Sequence, residues 1–495
     1  MRSGLIGKIA RRVGASSDAV TRRQFLKGVA ASGAGLMLPG RFASAKTSAT
    51  PPHVIVIGAG FAGLSCGFQL RNAGARVTIL EARNRVGGRV LSMPDFIEGK
   101  VVEGGAELIG SNHPTWMAYG KHFGLEFRDV TEPDPNETPI ILNGKQYNNP
   151  ELEMLWTHIQ QALAFLNADA RKVNLDRPWD TPGATELDHT SLAAAFASWD
   201  LDDTARHGAL TLLANDDASR PDQSSYLGTL TSVAGGGYEK FWTETEVFRC
   251  IGGNQRLAFK LAGAVGAENI RLQTPITRIG LAGSGVQVSL ADGATIEGDI
   301  VVLTAPPSTW DNFVIEPALP RGYQPSTGPA IKYLSKVSRP YWVKDGLMPG
   351  SLTDTPVGET WEATDGQRSN DDEAACLTVF SGGQAAQDCL NFAPDTRDET
   401  FKSHIEQIYP GYSSHVEKTM FMGWPDEKWT RCGYSSPGLG EVTTIYPNLA
   451  KGVENKLFFS GEYTNLLFTG YMEGGLDSGA KMAKKLSALL SLRAE

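Results

Sequence analysis

Cysteine is scarce in this chain, with five residues in 495: Cys66, Cys250, Cys376, Cys389 and Cys432. Their spacings match no metal motif, so no metal site is expected, and Cys66 reads as a core residue. The count is odd, and a bridge such as Cys376 to Cys389 stays open in an oxidising compartment. Long apolar runs are missing too. After residue 45 no stretch reaches the roughly eighteen residues of a membrane span, so no anchor is expected in the mature chain. Internal repeats and low-complexity tracts are also absent, which leaves no reason to expect disorder beyond the N-terminus. With 41% apolar residues, the chain can fill two lobes rather than one core. Nothing in it speaks for or against a homodimer.

Positive charge is short, and what there is clusters at the start. Residues 1–45 hold eight Lys and Arg against one Asp, which leaves the remainder at about −16 from an overall net charge of −9. Such an acidic surface argues against nucleic acid and favours cationic small molecules. Residues 21–27 (Thr21, Arg22, Arg23, Gln24, Phe25, Leu26, Lys27) form a twin-arginine pattern, followed by a Gly- and Ala-rich run and by Ala43-Ser44-Ala45 as a cleavage site. The expectation is a mature chain beginning near Lys46, exported by the twin-arginine machinery to the periplasm or beyond. A basic disordered arm is the alternative.

The richest stretch starts at residue 53. An apolar run at 54–57 feeds Gly58, Gly60 and Gly63, and Glu81 ends a second apolar run at 77–80. This is the order of a βαβ dinucleotide site: Gly58 allows the tight turn, Gly60 admits a pyrophosphate, and Gly63 lets helix pack on strand. The diphosphate would sit at the helix N-terminus near Phe61 and Ala62, with Glu81 within reach of a ribose hydroxyl.

The residues after Glu81 distinguish flavin from nicotinamide. Glu81-Ala82-Arg83-Asn84-Arg85-Val86-Gly87-Gly88-Arg89 resembles the extension of the flavin amine oxidase family, which includes monoamine, polyamine and L-amino-acid oxidases. The resemblance recurs along the chain: Glu103-Gly104-Gly105-Ala106-Glu107, Gly252-Gly253-Asn254-Gln255, Pro275-Ile276, Phe459-Ser460-Gly461-Glu462, and Gly470-Tyr471-Met472-Glu473-Gly474-Gly475. It implies FAD held by Gly58, Gly60, Phe61, Ala62, Gly63, Glu81, Ala82, Arg83, Gly88, Arg89, Gly105, Ala106, Glu107, Ile276, Gly461, Glu462, Tyr471 and Met472, with Gly88 and Arg89 brought to the phosphates. Anchored monoamine oxidases attach FAD through a cysteine just before the first cage tyrosine. Here Gly433 stands in that place and Cys432 one position earlier, so non-covalent FAD is expected. Export of folded protein suits an enzyme that must load FAD first.

The fold expected is α/β, a Rossmann-type FAD-binding domain (46–130, 246–325 and 425–490) interleaved with an α+β substrate-binding domain (131–245 and 326–424). Residues 131–150, with Pro, Asn and Asp, read as a loop. Residues 151–168 and 192–199 have helical spacing, 276–279, 286–290 and 300–303 read as strands, and Asp292-Gly293 as a hairpin turn.

Amine oxidation moves hydride from the carbon beside a neutral amine to flavin N5, giving imine or aldehyde, ammonia and peroxide. The protein must orient the amine and exclude water. By resemblance, Tyr434 and Tyr471 form an aromatic cage, with Trp424 keeping the family's spacing to Tyr434, and Lys332 holds a water near flavin N5. Glu107 would line the pocket and attract a second cation, or else be satisfied by backbone N–H groups or an arginine. The reading ranks an amine oxidase first. An L-amino-acid oxidase comes second, because none of Arg249, Arg339 and Arg431 matches a carboxylate-gripping role. The third is a dehydrogenase passing electrons to a periplasmic acceptor instead of oxygen.

Overall fold

Two sheets divide the work of the molecule. The computed structural model describes residues 51–490 apart from Pro133, Asn148 and Ser284, so the residues read above as an export signal lie outside the described residues. The first sheet has five parallel strands in the order Leu457–Phe459, Ile300–Leu303, His53–Ile57, Arg76–Leu80 and Ile270–Arg271. Its central strand is buried along its whole length, as a continuous apolar run covered on both faces should be. Val54 and Val56 face the helices Phe61–Asn72, Gln255–Val265 and Met472–Leu489. Ile55 and Ile57 face an antiparallel and mixed sheet built from Ile276–Ala282, Gly285–Leu290, Thr295–Gly298 and Val314–Glu316. Each such buried side chain contributes about 1.5–3 kcal/mol.

The second sheet has seven strands, in the order Val416–Gly423, Ala330–Val337, Ala375–Gly382, Glu359–Glu362, Ser351–Thr353, Ile140–Leu142 and Lys145–Tyr147. The last two correct the reading of 131–150 as a loop. Asn143 and Gly144 both take positive φ (52° and 71°), the geometry of a two-residue hairpin, and the Asn-Gly pair is the sequence signal for it. The strands are only three residues long, too short for their alternation to stand out. Helices Asn149–Ala170, Leu192–Ala197, Asp203–Asp216 and Tyr226–Gly235 build the wall between. The starts of the last three are set locally: Ser191, Asp202 and Ser225 each accept backbone N–H groups of the first turn.

All five cysteines are buried and free. Cys376 and Cys389 belong to different cores, and their thiols are engaged elsewhere: Cys389 donates to the Pro356 carbonyl (3.2 Å) and Cys376 lies against Thr378 Oγ1. The bridge left open above is therefore not made. Burial pushes four of the thiols (Cys66, Cys250, Cys376, Cys389) up to about 12. Among the described residues no helix is long and apolar enough to cross a membrane, and no group of His, Cys, Asp and Glu could hold a metal ion.

Candidate active site

The glycine turn after the central strand opens onto a cavity of about 280 Å³. Gly58 has φ 108°, a left-handed conformation that a side chain would strain. At Gly60 a Cβ would meet nothing within 4 Å, so the backbone there is open to the cavity. The helix that follows has no side chain capping its start, and its first N–H groups and dipole offer an anion site. Gly63 alone among the expected cofactor residues does not line the cavity. A Cβ there would overlap the Gly58 carbonyl oxygen, so its smallness lets helix sit on strand. The Glu81 carboxylate accepts N–H groups of Ala59 (2.8 Å) and Arg83 (2.8 Å), which fixes it at the cavity edge with lone pairs to spare for hydroxyls.

The other walls come from distant parts of the chain. Arg89 lines the cavity, yet its guanidinium is committed to Glu462 (2.9 Å) and to the Gly433 carbonyl (3.0 Å), and that carboxylate holds its charge firmly against the cost of burial. Arg83 is likewise paired with Glu427 and Thr430. Glu462 also accepts from Gly470 N–H (2.9 Å) and Ser435 Oγ (3.1 Å), so one carboxylate joins the N-terminal arginine, the residue next to Tyr434 and the turn before Tyr471. Ala82, Gly88, Gly105, Ala106, Ile276, Gly461 and Met472 complete this side. An open glycine turn, an uncapped helix start, a positioned acid and a long cavity fit a flavin dinucleotide. Cys432 does not line the cavity; its buried thiol meets Ser308 Oγ at 3.3 Å.

Lys332, Glu107, Trp424, Tyr434 and Tyr471 all reach the same cavity. Strand Ala330–Val337 carries Lys332 inward, where Nζ donates to Glu107 Oε2 (2.6 Å) and to the Glu103 carbonyl (3.0 Å). Glu107 also accepts from Arg249 Nε (2.8 Å) and Trp361 Nε1 (2.9 Å). Burial pushes its carboxyl up, but the charges of Lys332 and Arg249 outweigh that and hold it below the usual carboxylate range. Of the two roles open for Glu107, the structure realises the satisfied carboxylate. Trp424 Nε1 donates to the Gly104 carbonyl (3.0 Å), and its ring closes over Gly105.

Tyr434 donates its hydroxyl to the Asp216 carbonyl (2.7 Å), and its ring packs on Gly470, immediately before Tyr471. Sequence reading missed several neighbours. Asp216 and Glu246 line the cavity, and Phe380 stands beside them. Burial, then the nearby Asp216, raise the Glu359 carboxyl well above its ordinary value, while Asn215 donates to it (2.8 Å). Asp216 ends a helix and Glu246 a helix-to-strand turn, and no local pattern marks either. Arg249 spends its donors on Glu107, Asp365 and the Glu362 carbonyl (3.0 Å); Arg339 and Arg431 do not line the cavity.

Residues 61–487 match the family described as flavin containing amine oxidoreductase. A probable flavin-containing monoamine oxidase A of Dictyostelium discoideum is 22% identical over 462 residues, covering 88% of this chain and 97% of that protein. Putrescine oxidase of Kocuria rosea is 25% identical over 408 residues, covering 77% and 84%. A solved putrescine oxidase with putrescine bound superposes with TM-score 0.80 at 23% identity, covering 89% of this chain and 99% of the other.

Proposed function

The chain belongs to the family of flavin-containing amine oxidoreductases and uses FAD in oxidising amines; from that premise we propose that it is an oxidase of cationic primary or secondary amines that returns electrons to oxygen. The observation that carries the choice of amine is the charge lining the cavity. Asp216 and Glu246 line the cavity with the two tyrosines, and the three basic side chains that reach it, Arg83, Arg89 and Lys332, each grip a carboxylate. An ammonium is drawn into such a pocket; the carboxylate of an amino acid is repelled.

FAD, when bound, supplies the two-electron acceptor. The residues supply binding and order. Tyr434 and Tyr471 offer π surfaces that hold a neutral amine without demanding a hydrogen bond from it. Lys332, with two of its three N–H groups engaged, keeps one donor for the cavity, and its charge favours reduction of oxygen to an anion there. Gly433 beside Tyr434, and Cys432 outside the cavity, support non-covalent retention of FAD. Export of the loaded enzyme by the twin-arginine machinery belongs to the same proposal and rests on Arg22 and Arg23.

A panel of monoamines, diamines and L-amino acids, scored for anaerobic flavin bleaching and for peroxide in air, tests this reading. Bleaching by amines with stoichiometric peroxide is expected. Preferential bleaching by L-amino acids would reject the amine assignment, and bleaching without peroxide would reject the oxidase one. Retention of an Arg22→Lys, Arg23→Lys protein in the cytoplasm is expected; normal export would remove the localisation.

A further inference from the structure

His113 is fully buried, yet one of its ring nitrogens has no hydrogen-bond partner. Nδ1 accepts the N–H of Gly110 (2.9 Å), which places the proton of the neutral ring on Nε2. Burial lowers the imidazole to about 3, so the ring is neutral at working pH. A buried donor without an acceptor costs about 1–3 kcal/mol, and a phenylalanine would fill the same space without that cost. What lies against the ring is aromatic: Phe468 at 5.4 Å between centroids and 87°, and Tyr471 at 5.5 Å and 64°, both edge to face.

The segment carrying His113 is pinned on two sides. Asn112 donates to the Gly236 carbonyl (2.7 Å) and to Thr245 Oγ1 (3.0 Å). His113 precedes helix Pro114–Phe123, whose Thr115 and Trp116 N–H groups both donate to the Glu473 carboxylate (2.9 Å each). Glu473 lies two residues after Tyr471, so the start of one helix is clamped to the residue pair that begins the other.

We propose that His113 is a positioning residue for Tyr471, its Nε2–H donating to the π clouds of Tyr471 and Phe468 while Glu473 holds the two segments in register. The contact fixes the angle that Tyr471 presents to the substrate amine. The inference rests on the reading of Tyr471 as a wall of the amine cavity.

Two arms test it, one without turnover. In enzyme labelled with 15N-histidine, one ring is expected with Nδ1 unprotonated and Nε2 protonated from pH 5 to 9, its N–H proton shielded by ring current; Tyr471→Leu should shift that resonance. A resonance that Tyr471→Leu leaves in place overturns the contact. In the kinetic arm, His113→Phe keeps the ring shape, and His113→Asn keeps an acceptor for Gly110 but removes the ring. Both are expected to slow anaerobic flavin reduction by benzylamine and 1,4-diaminobutane about tenfold per bound FAD, with FAD content and reoxidation by oxygen unchanged. Wild-type reduction rates per bound FAD in both variants overturn the positioning role. A wild-type flavin that no amine reduces would refute the amine reading itself, and the NMR arm would still decide the contact.

Discussion

Glu107→Gln removes the one anion shared by two buried cations. In the folded protein that carboxylate takes Lys332 at 2.6 Å, Arg249 at 2.8 Å and the Trp361 indole at 2.9 Å. The substitution keeps the shape and leaves Lys332 with the Glu103 carbonyl and Arg249 with Asp365, so neither cation is stripped of all partners. Removing one member of a buried pair costs about 3–5 kcal/mol, and the surviving partners place this case near the lower end, at about 3 kcal/mol. Replacing Lys332 as well, by Met, should restore a large part of that loss, because the uncompensated charge is gone. The carboxyl titrates below its ordinary value when folded. Its contribution is therefore complete above the unfolded value of about 4.3 and is lost as pH falls through the lower folded value, so the gap between wild type and Glu107→Gln should close in acid. Thermal and urea unfolding of the FAD-loaded proteins, followed by tryptophan fluorescence from pH 3 to 8, reads all three. A variant as stable as wild type at pH 7, or a double variant no more stable than Glu107→Gln, would refute the reasoning.

Lys332→Met is expected to slow flavin reoxidation by oxygen while substrate reduction is less affected; stopped-flow traces with unchanged reoxidation would reject that role. Tyr471→Ala should weaken amine turnover with FAD still bound, and a colourless product would make the residue structural instead. Gly63→Ala should abolish FAD retention or folding, because its Cβ meets the backbone of Gly58 rather than a movable side chain, and a yellow, stable variant would contradict the packing argument. Thiol titration of the denatured protein without reductant should find all five cysteines, whereas the native protein should react slowly; three thiols in the denatured titration would indicate a disulfide.

What could be read from sequence was what is local. The turn at Gly58, the acid at Glu81 and the glycine motif around Tyr471 are contiguous signatures, and the residues they name line one cavity. The strands at 276–279, 286–290 and 300–303 were legible because they alternate in polarity or run apolar and are bounded by turn residues. The hairpin at Ile140–Leu142 and Lys145–Tyr147 was not, since three-residue strands acquire their identity from the sheet they join. The same limit governs the site. Glu107 announced a carboxylate in the pocket, but its meaning depends on Arg249, 142 residues away, and on Lys332, 225 residues away. Asp216, Glu246 and His113 carry no motif of their own and become visible only where separate helices converge.

The threading of the parallel sheet has a consequence for biosynthesis. Its edge strand Leu457–Phe459 and the turn bearing Tyr471 are made long after the glycine turn they complete. A nascent polypeptide thus cannot assemble the full cofactor cradle until those residues have emerged, and capture of the isoalloxazine has to wait for them. Removal of helix Met472–Leu489 should then yield apoprotein rather than a weaker enzyme.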